Sequence, residues 1–320
     1  VTHQEEFFDA PWPSNLRLKN GYLDLENWPF RGEHPLLNTF IDLAEELDGY
    51  SNNGPIYHRF TEAIDPDILP SPQDSIKENA PIFLINVTKG SPYVGTRVPL
   101  EMQFFQEKGE WLPSNMLVAS PSWGNPLDPD ADYAFVISTE IAQPSEDFQQ
   151  PSEYYEPTIE ILEDFGVARE RIAHITIFHT QNPLQEMVQL ASTIQQRLSK
   201  PPLDQKLRLV RSVSQGKAYE GYLNIPLWQH GEKPYATEGG GFRFDQDGIP
   251  IIYDWEYTRF TLSLPDGDMP ETGWPVAIYS HGTGGSDRGF ANSDNDTTPA
   301  GQFSKAGYVG IGISQPLHGD

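Results

Sequence analysis

The sequence contains no cysteine among its 320 residues. Disulfide bonds, thiolate metal sites and cysteine nucleophiles are therefore all excluded. Basic residues are also scarce: 21 lysines and arginines stand against 46 aspartates and glutamates, which leaves a formal net charge of −25 at pH 7. Nucleic acids and anionic membrane surfaces attract clustered positive charge, so this balance argues against both as partners.

Long apolar segments are missing as well. No apolar run approaches the roughly 20 residues that a membrane-spanning helix needs, so we expect a protein that does not span a membrane. Residues 1–6 carry neither a basic segment nor an apolar stretch, and we therefore expect no signal peptide in this sequence. The acidic surface favours solubility, and it also suits residence outside the cell or in salty or calcium-rich surroundings.

Turn-forming residues are abundant. The 29 prolines and 27 glycines predict many turns and extended connections, and an apolar fraction of 37% is sufficient for a folded core. We expect residues 1–80 to form an irregular lead-in with one helix, whose apolar positions run from Leu36 to Leu47. The strand and turn signals in residues 81–215 then predict a β-sandwich-like or mixed region, in which strands predominate and one helix follows Asn182.

The segment that carries chemistry is Pro275 to Gly285, where an apolar strand runs directly into His-Gly-Thr-Gly-Gly at residues 281–285. Acyl transfer needs backbone N–H groups aimed at the oxygen that becomes negative, and a glycine-rich turn lets the main chain approach that oxygen closely. A short helix at residues 300–306 and a strand at 308–314 follow. The succession of strand, loop, helix and strand is the opening of a parallel α/β sheet.

This segment resembles the oxyanion loop of α/β-hydrolases, which follows the third strand of that fold. The resemblance implies that the backbone N–H groups of Thr283 and Gly284 stabilise the oxyanion, while His281, Gly282 and Gly285 support the loop. Residues 307–320 resemble the family's next strand, whose end usually contains Asp-x-Pro-x-His-Gly. Here that end is Ser-Gln-Pro-Leu-His-Gly at residues 314–319, so the match is incomplete at the acidic position.

Four upstream segments extend the resemblance to large bacterial lipase-like or esterase-like proteins, which are often exported or lipoproteins. The segments are residues 7–17, 47–51, 239–245 and 273–276. The resemblance implies an α/β protein with a β-rich N-terminal region, in which a β-sandwich-like domain precedes the first strands of an α/β-hydrolase parallel sheet, beginning within residues 216–320. It also implies export to the periplasm, cell surface or medium, an ester substrate, and hydrolysis by a Ser-acid-His triad.

The nucleophile of that triad is missing from the sequence. A nucleophile elbow requires Gly-x-Ser-x-Gly, and neither Ser286 nor Ser314 has those neighbours. In the resembled fold the triad residues follow the oxyanion loop in the chain order Ser, acid, His. We therefore expect this chain alone to be inactive, with a C-terminal segment or a companion chain completing the hydrolase domain.

Two other functions fit the sequence. The chain could be an exported binding or assembly module whose hydrolase-like part is an inactive scaffold, or a peptidase on the same fold. We expect no cofactor. A bound calcium ion is left as an alternative, because Asp128, Asp130 and Asp132 resemble the start of a calcium loop. That loop would have glycine at the position of Tyr133 and glutamate at the position of Thr139.

Overall fold

The computed structural model describes residues 7–144, 153–198, 206–235 and 238–318. The chain is a mixed α/β protein rich in β-sheet, with fourteen strands and five α-helices in those ranges. It divides into two compact units, Val1–Pro183 (unit 1) and Leu184–Asp320 (unit 2). The three-part domain division expected from the sequence stays a prediction.

Unit 1 contains two larger antiparallel sheets and a short hairpin. Its described strands are β1 (Leu18–Lys19), β2 (Tyr22–Leu23), β3 (Ile56–Arg59), β4 (Ile82–Asn86), β5 (Arg97–Val98), β6 (Leu100–Phe105), β7 (Met116–Pro121), β8 (Asp132–Ser138) and β9 (Ile172–His179). One sheet has the order β3-β7-β6 and the other the order β5-β4-β8-β9. Strand β3 lies within the expected lead-in, yet it pairs with β7, so lead-in residues form part of a sheet.

The four-stranded sheet is buried on both faces. Ile82 and Leu84 pack into a core shared with the three-stranded sheet, whereas Phe83 and Ile85 pack on the opposite side with Leu162 of a helix. Because both faces are covered, β4 is apolar at nearly every position rather than alternating. The described helices of unit 1 are α1 (Pro35–Ala44), α2 (Pro72–Ser75) and α3 (Glu156–Asp164).

Unit 2 contains one five-stranded sheet. Its described elements are the helices α4 (Gln185–Arg197) and α5 (Pro299–Lys305) and the strands β10 (Arg208–Val213), β11 (Gly216–Leu227), β12 (Asp254–Pro265), β13 (Val276–Tyr279) and β14 (Val309–Ile313). The strand order is β10-β11-β12-β14-β13. Three neighbouring pairs are antiparallel, and only β13 and β14 are parallel.

The expected opening of a parallel sheet is therefore present only as one pair. Strands β13 and β14 are joined by a crossover that contains α5, and a crossover of this kind makes its two strands parallel. The long β11–β12 pair, in register from Gly216↔Pro265 to Leu227↔Asp254, makes the rest of the sheet antiparallel. The described residues thus contain a mixed sheet and not a hydrolase-like parallel sheet.

Glycines in β14 allow an aromatic side chain to pack on the strand. Phe290 is fully buried, and a Cβ placed on Gly310 would lie 2.8 Å from its ring. A Cβ on Gly312 would lie 3.1 Å from the same ring. The alternation of Gly and apolar residues in β14 therefore creates the space for the core of unit 2, whose buried members are Val213, Ala218, Phe290, Ala291 and Ala300.

None of the helices in the described ranges combines the length and the apolar character that crossing a membrane would require.

Candidate functional site

The glycine-rich loop follows the carboxyl end of β13. The register of the parallel pair runs from Val276↔Val309 to Tyr279↔Gly312, so the loop leaves the sheet beside the end of β14. The carboxyl ends of parallel strands are where open α/β sheets place their ligands. The sheet thus brings residues 280–285 next to residues 314–318.

Two glycines of the loop are required by its geometry. Gly284 has φ +76°, a left-handed conformation that side chains rarely adopt. A Cβ on Gly285 would lie 2.8 Å from the His281 Cβ and 3.0 Å from the Gly282 carbonyl oxygen, which is too close for any other residue. The Gly285 N–H donates to the Gly282 carbonyl at 2.9 Å and closes the turn. Gly282 itself has open space around its Cα.

His281 lies beneath this turn and is only 7% exposed. Its Nδ1 donates to the Gly282 carbonyl oxygen at 3.0 Å, and its Nε2 accepts the N–H of Gln315 at 3.3 Å. The Gln315 side chain also donates to the Ser280 hydroxyl at 2.7 Å. Hydrogen bonds from His281 and Gln315 therefore hold the start of the loop against the segment after β14.

The two amides predicted as oxyanion donors differ in their surroundings. Thr283 is an exposed residue, and its N–H makes no hydrogen bond among the described residues. The Gly284 N–H donates to Nδ1 of His318 at 3.4 Å, which is a long hydrogen bond. The Thr283 amide therefore has no hydrogen-bond partner in the described residues, and the Gly284 amide has a weak one.

A buried carboxylate that the sequence did not reveal stabilises the far end of the loop. Asp287 is fully buried and forms an ion pair with Arg259 of β12, with 3.0 Å between Nη2 and Oδ1. The hydroxyls of Thr261 and Ser314 donate to the same carboxylate at 2.7 and 2.8 Å. Asp287 thus connects β12, the loop and the end of β14.

The charge state of Asp287 follows from these contacts. Burial alone would raise the pKa of Asp287, but the hydrogen bonds from Arg259, Thr261 and Ser314 outweigh it and hold the pKa below its ordinary value. Asp287 is therefore ionised at neutral pH. All of its hydrogen-bond donors belong to β12 and to the segment after β14, so the role of Asp287 is to hold the loop in position.

A second buried carboxylate lies on β11. Glu220 is 4% exposed and accepts hydrogen bonds from Arg208 and Arg288, the latter at 2.7 Å between Nη2 and Oε2. Burial would raise its pKa, but these two guanidinium groups hold the pKa below its ordinary value. Arg288 follows Asp287 directly, so two consecutive residues after the loop form ion pairs with the sheet.

The acidic runs do not gather metal ligands. Asp130 and Asp132 lie 3.2 and 3.0 Å from the two ring nitrogens of His179. Asp296 lies 2.7 Å from the ammonium group of Lys305. In the parts of the chain that the structure describes, no group of three or more His, Asp or Glu side chains is arranged to hold a metal ion.

Comparisons with known proteins identify no relative of this chain. A scan against protein-family models gives no match, and searches of curated proteins and of solved structures likewise find nothing similar to this chain.

Proposed function

We propose that this chain is the front part of a serine ester hydrolase, lipase-like or carboxylesterase-like, and that its loop 281–285 stabilises the oxyanion. One observation carries the proposal: Thr283 is an exposed residue whose N–H makes no hydrogen bond among the described residues, on a glycine turn directly after β13. A preorganised amide of this kind stabilises the negative oxygen of a tetrahedral intermediate without having to reorganise.

The order of the elements supports the same proposal. Counted from the start of the β11–β12 pair, β13 is the third strand, and the oxyanion loop of the resembled family follows strand three. The supporting role proposed for His281 also agrees with its two hydrogen bonds beneath the turn. We also propose that a β-sandwich-like domain precedes the first strands of an α/β-hydrolase sheet, and that the protein is exported from the cell.

The two amides have unequal roles in this proposal. Thr283 supplies the donor that is ready before the substrate binds. The Gly284 N–H becomes available only when an oxyanion displaces His318, whose hydrogen bond to it is 3.4 Å long. In the resembled family the other donor comes from the residue after the nucleophile, which is absent from this sequence.

We place the nucleophile on a further segment or a companion chain that completes the sheet. Strand β13 is the edge of the five-stranded sheet, and its side chains Val276 and Ile278 are 60% and 82% exposed. An edge strand with exposed apolar side chains is a template for additional strands. The added segment carries Gly-x-Ser-x-Gly and the remaining triad residues, and the ester substrate binds between it and the loop.

A fluorophosphonate probe tests this function on the native assembly, isolated through a tag on this chain. We expect labelling of a polypeptide or segment that contains Gly-x-Ser-x-Gly. The Gly284→Val variant should slow labelling by roughly 100-fold, because it distorts the turn that presents the Thr283 amide.

The matched control is Gly241→Val, at an exposed glycine of unit 2 with open space around its Cα, and it should label at the wild-type rate. An intact assembly that is not labelled at all would contradict the hydrolase and favour a binding or assembly module. Labelling of Ser286 or Ser314 would contradict the placement of the nucleophile outside this sequence.

A further inference from the structure

A cleft of about 740 Å³ lies in unit 1, on one face of the three-stranded sheet. Strands β6 and β7 form its floor, where Glu101 is paired with Ser120 and Gln103 with Val118. Residues paired across two strands share a face, and successive residues of a strand point to opposite faces. Because the neighbouring Leu100 is fully buried in the core, these four residues lie on the face directed away from that core.

Trp123 lies at the rim of this cleft and is 93% exposed, the highest value for any large apolar side chain in the described residues. Single apolar side chains on a protein surface are common and need no explanation by themselves. This one borders a cleft, however, so its indole ring is available to stack on a flat ligand that occupies the cleft.

The turn that carries Trp123 is held by hydrogen bonds. The Ser122 N–H donates to the Pro99 carbonyl at 2.8 Å, and the Asn125 N–H donates to the Ser122 carbonyl at 3.0 Å. The side-chain amide of Asn125 donates to the Ser122 hydroxyl at 3.1 Å and to the Trp123 carbonyl at 3.3 Å. Gly124, with φ +84°, completes the turn. The backbone of Trp123 is therefore positioned before a ligand binds, which reduces the entropy lost on binding.

Polar side chains with planar end groups share the cleft with the tryptophan. Asn53, Glu101 and Gln103 line it, are exposed, and make no side-chain hydrogen bond or ion pair among the described residues. An amide offers donors and an acceptor side by side, and a carboxylate offers acceptors. Since every hydroxyl group both donates and accepts, a ligand with several neighbouring hydroxyls satisfies all three side chains.

The charge of the cleft excludes an anionic ligand. Lysine and arginine are absent from the described residues that line it, and Glu101 supplies its one formal charge. Carboxylate and phosphate groups are bound in proteins by cationic side chains, above all by arginine. The ligand is therefore uncharged, rich in hydroxyl groups, and flat enough to stack on an indole ring.

We propose that this cleft binds an uncharged oligosaccharide, with one pyranose ring stacked on Trp123 and its hydroxyls bound by Asn53, Glu101 and Gln103. The C–H bonds on one face of a pyranose are weakly electropositive, and the π face of an indole is electronegative, so the two faces attract each other. The volume of the cleft lies within the usual range of small-ligand sites. This binding is independent of the ester hydrolysis proposed for unit 2.

A proline-rich peptide is the other ligand that stacks on an exposed tryptophan. Grooves that bind such peptides are lined by several aromatic side chains. Trp123 is the single aromatic residue among the described residues of this cleft, and the polar groups around it favour hydroxyls over proline rings. The experiment therefore includes a proline peptide as a competing ligand.

Calorimetric titration of the full chain tests the proposal. The probes are maltohexaose, cellohexaose, xylohexaose and hexaacetylchitohexaose, each up to about 5 mM, with hexagalacturonate as the anionic sugar and decaproline as the peptide. We expect at least one neutral sugar to bind, with an affinity lowered roughly tenfold by Trp123→Ala and roughly threefold by Gln103→Ala. The matched control is Trp111→Ala, at a 60% exposed tryptophan of unit 1 outside the cleft, and it should leave the affinity unchanged.

A second measurement observes the site in the wild-type chain. The indole N–H groups of the seven tryptophans can be followed by ¹H–¹⁵N NMR, and the signal of Trp123 is identified by its loss in Trp123→Phe. We expect the neutral sugar to shift the signal of Trp123 and not that of Trp111. The proposal is overturned if none of the neutral sugars binds, if Trp123→Ala binds them as well as the wild type, or if decaproline or hexagalacturonate binds more tightly than they do.

Discussion

Asp287 joins three parts of unit 2 through a single carboxylate. Arg259, Thr261 and Ser314 all donate to it, and the carboxylate has no exposure to solvent. Removing one partner of a buried ion pair leaves the other charge uncompensated, which is far more unfavourable than losing an exposed pair. The position of the glycine loop therefore depends on the ionised state of this residue.

We predict that Asp287→Asn lowers the free energy of unfolding by about 3 kcal/mol at pH 7, the lower end of the range for a buried pair because the Arg259 side chain is 14% exposed. Since the folded-state pKa is depressed, the stabilisation is present above the ordinary pKa of 3.8 and is lost as the pH falls below it. Urea unfolding at pH 7 and pH 2.5 measures both effects.

The difference between wild type and Asp287→Asn should accordingly shrink at pH 2.5. Asp294→Asn, at an exposed aspartate in the following loop, is the control and should change stability by less than about 0.5 kcal/mol. An equal difference at both pH values would show that the carboxylate is not ionised in the folded protein.

The residues of the loop could be predicted from the sequence, but its anchors could not. The His-Gly-Thr-Gly-Gly motif is local, so the turn itself follows from neighbouring positions, whereas the contact of His281 with Gln315 spans 34 residues. Asp287 lies in a polar stretch that resembles an ordinary solvated loop. Its burial depends on Arg259, which lies 28 residues earlier on β12. The ring contact between His58 and His174 is equally non-local, since β3 and β9 belong to different sheets.

At the scale of elements, the glycines of β14 leave room for aromatic side chains to pack against the strand. A Cβ on Gly310 would lie 2.6 Å from the Ser263 hydroxyl and 2.8 Å from the rings of Phe290 and Phe303. We predict that Gly310→Ala destabilises the protein by about 1–3 kcal/mol, the usual effect of overpacking a core. Thermal or urea unfolding measures it.

A double-mutant cycle identifies the contact responsible. If the Phe290 ring causes the clash, Gly310→Ala combined with Phe290→Leu should be less destabilising than the sum of the two single substitutions. Strict additivity would attribute the effect to the lost backbone freedom of glycine and not to packing.

The elements with a clear apolar periodicity could be predicted. The helix near residues 36–47, the helix after Asn182, the strand before the glycine loop, the helix at 300–306 and the strand at 308–314 correspond to α1, α4, β13, α5 and β14. Strands β1, β2 and β3 lie in the stretch that was expected to be irregular. Strand β10 carries two arginines and is mostly exposed, so its structure comes from pairing with β11 rather than from an apolar pattern.

The apolar side chains of α4, the helix that follows Asn182, are mostly exposed. In α4 only Leu190 is buried, whereas Leu184, Met187 and Val188 at its start are 58–62% exposed. The residue before the helix is Leu184, which makes no side-chain cap hydrogen bond. A stripe predicts which face is apolar, but whether that face is covered depends on the rest of the fold.

At the scale of the whole molecule, each unit has its own core and its own acid-sensitive group. The folded-state pKa of His58 in unit 1 is depressed below the ordinary 6.5, so the stability it confers is present above pH 6.5 and declines as the pH falls toward 3. His174 acts in the same direction. The depressed carboxyl groups of unit 2 titrate only at lower pH.

We predict that lowering the pH from 7.5 to 5 weakens unit 1 alone. Hydrogen exchange followed by mass spectrometry should show roughly tenfold lower protection in β8 and β9, after correction for intrinsic rates, and no change in β11 and β12. His58→Leu should abolish much of the pH dependence in unit 1. A uniform loss across both units would contradict the assignment to His58.

The hydrogen bonds of His281 restrict what this histidine can do in any reaction. Its Nδ1 donates to a carbonyl oxygen and its Nε2 accepts a main-chain N–H, so both ring nitrogens are already engaged by the backbone. The serine of the proposed hydrolase must therefore deliver its proton to an imidazole other than that of His281.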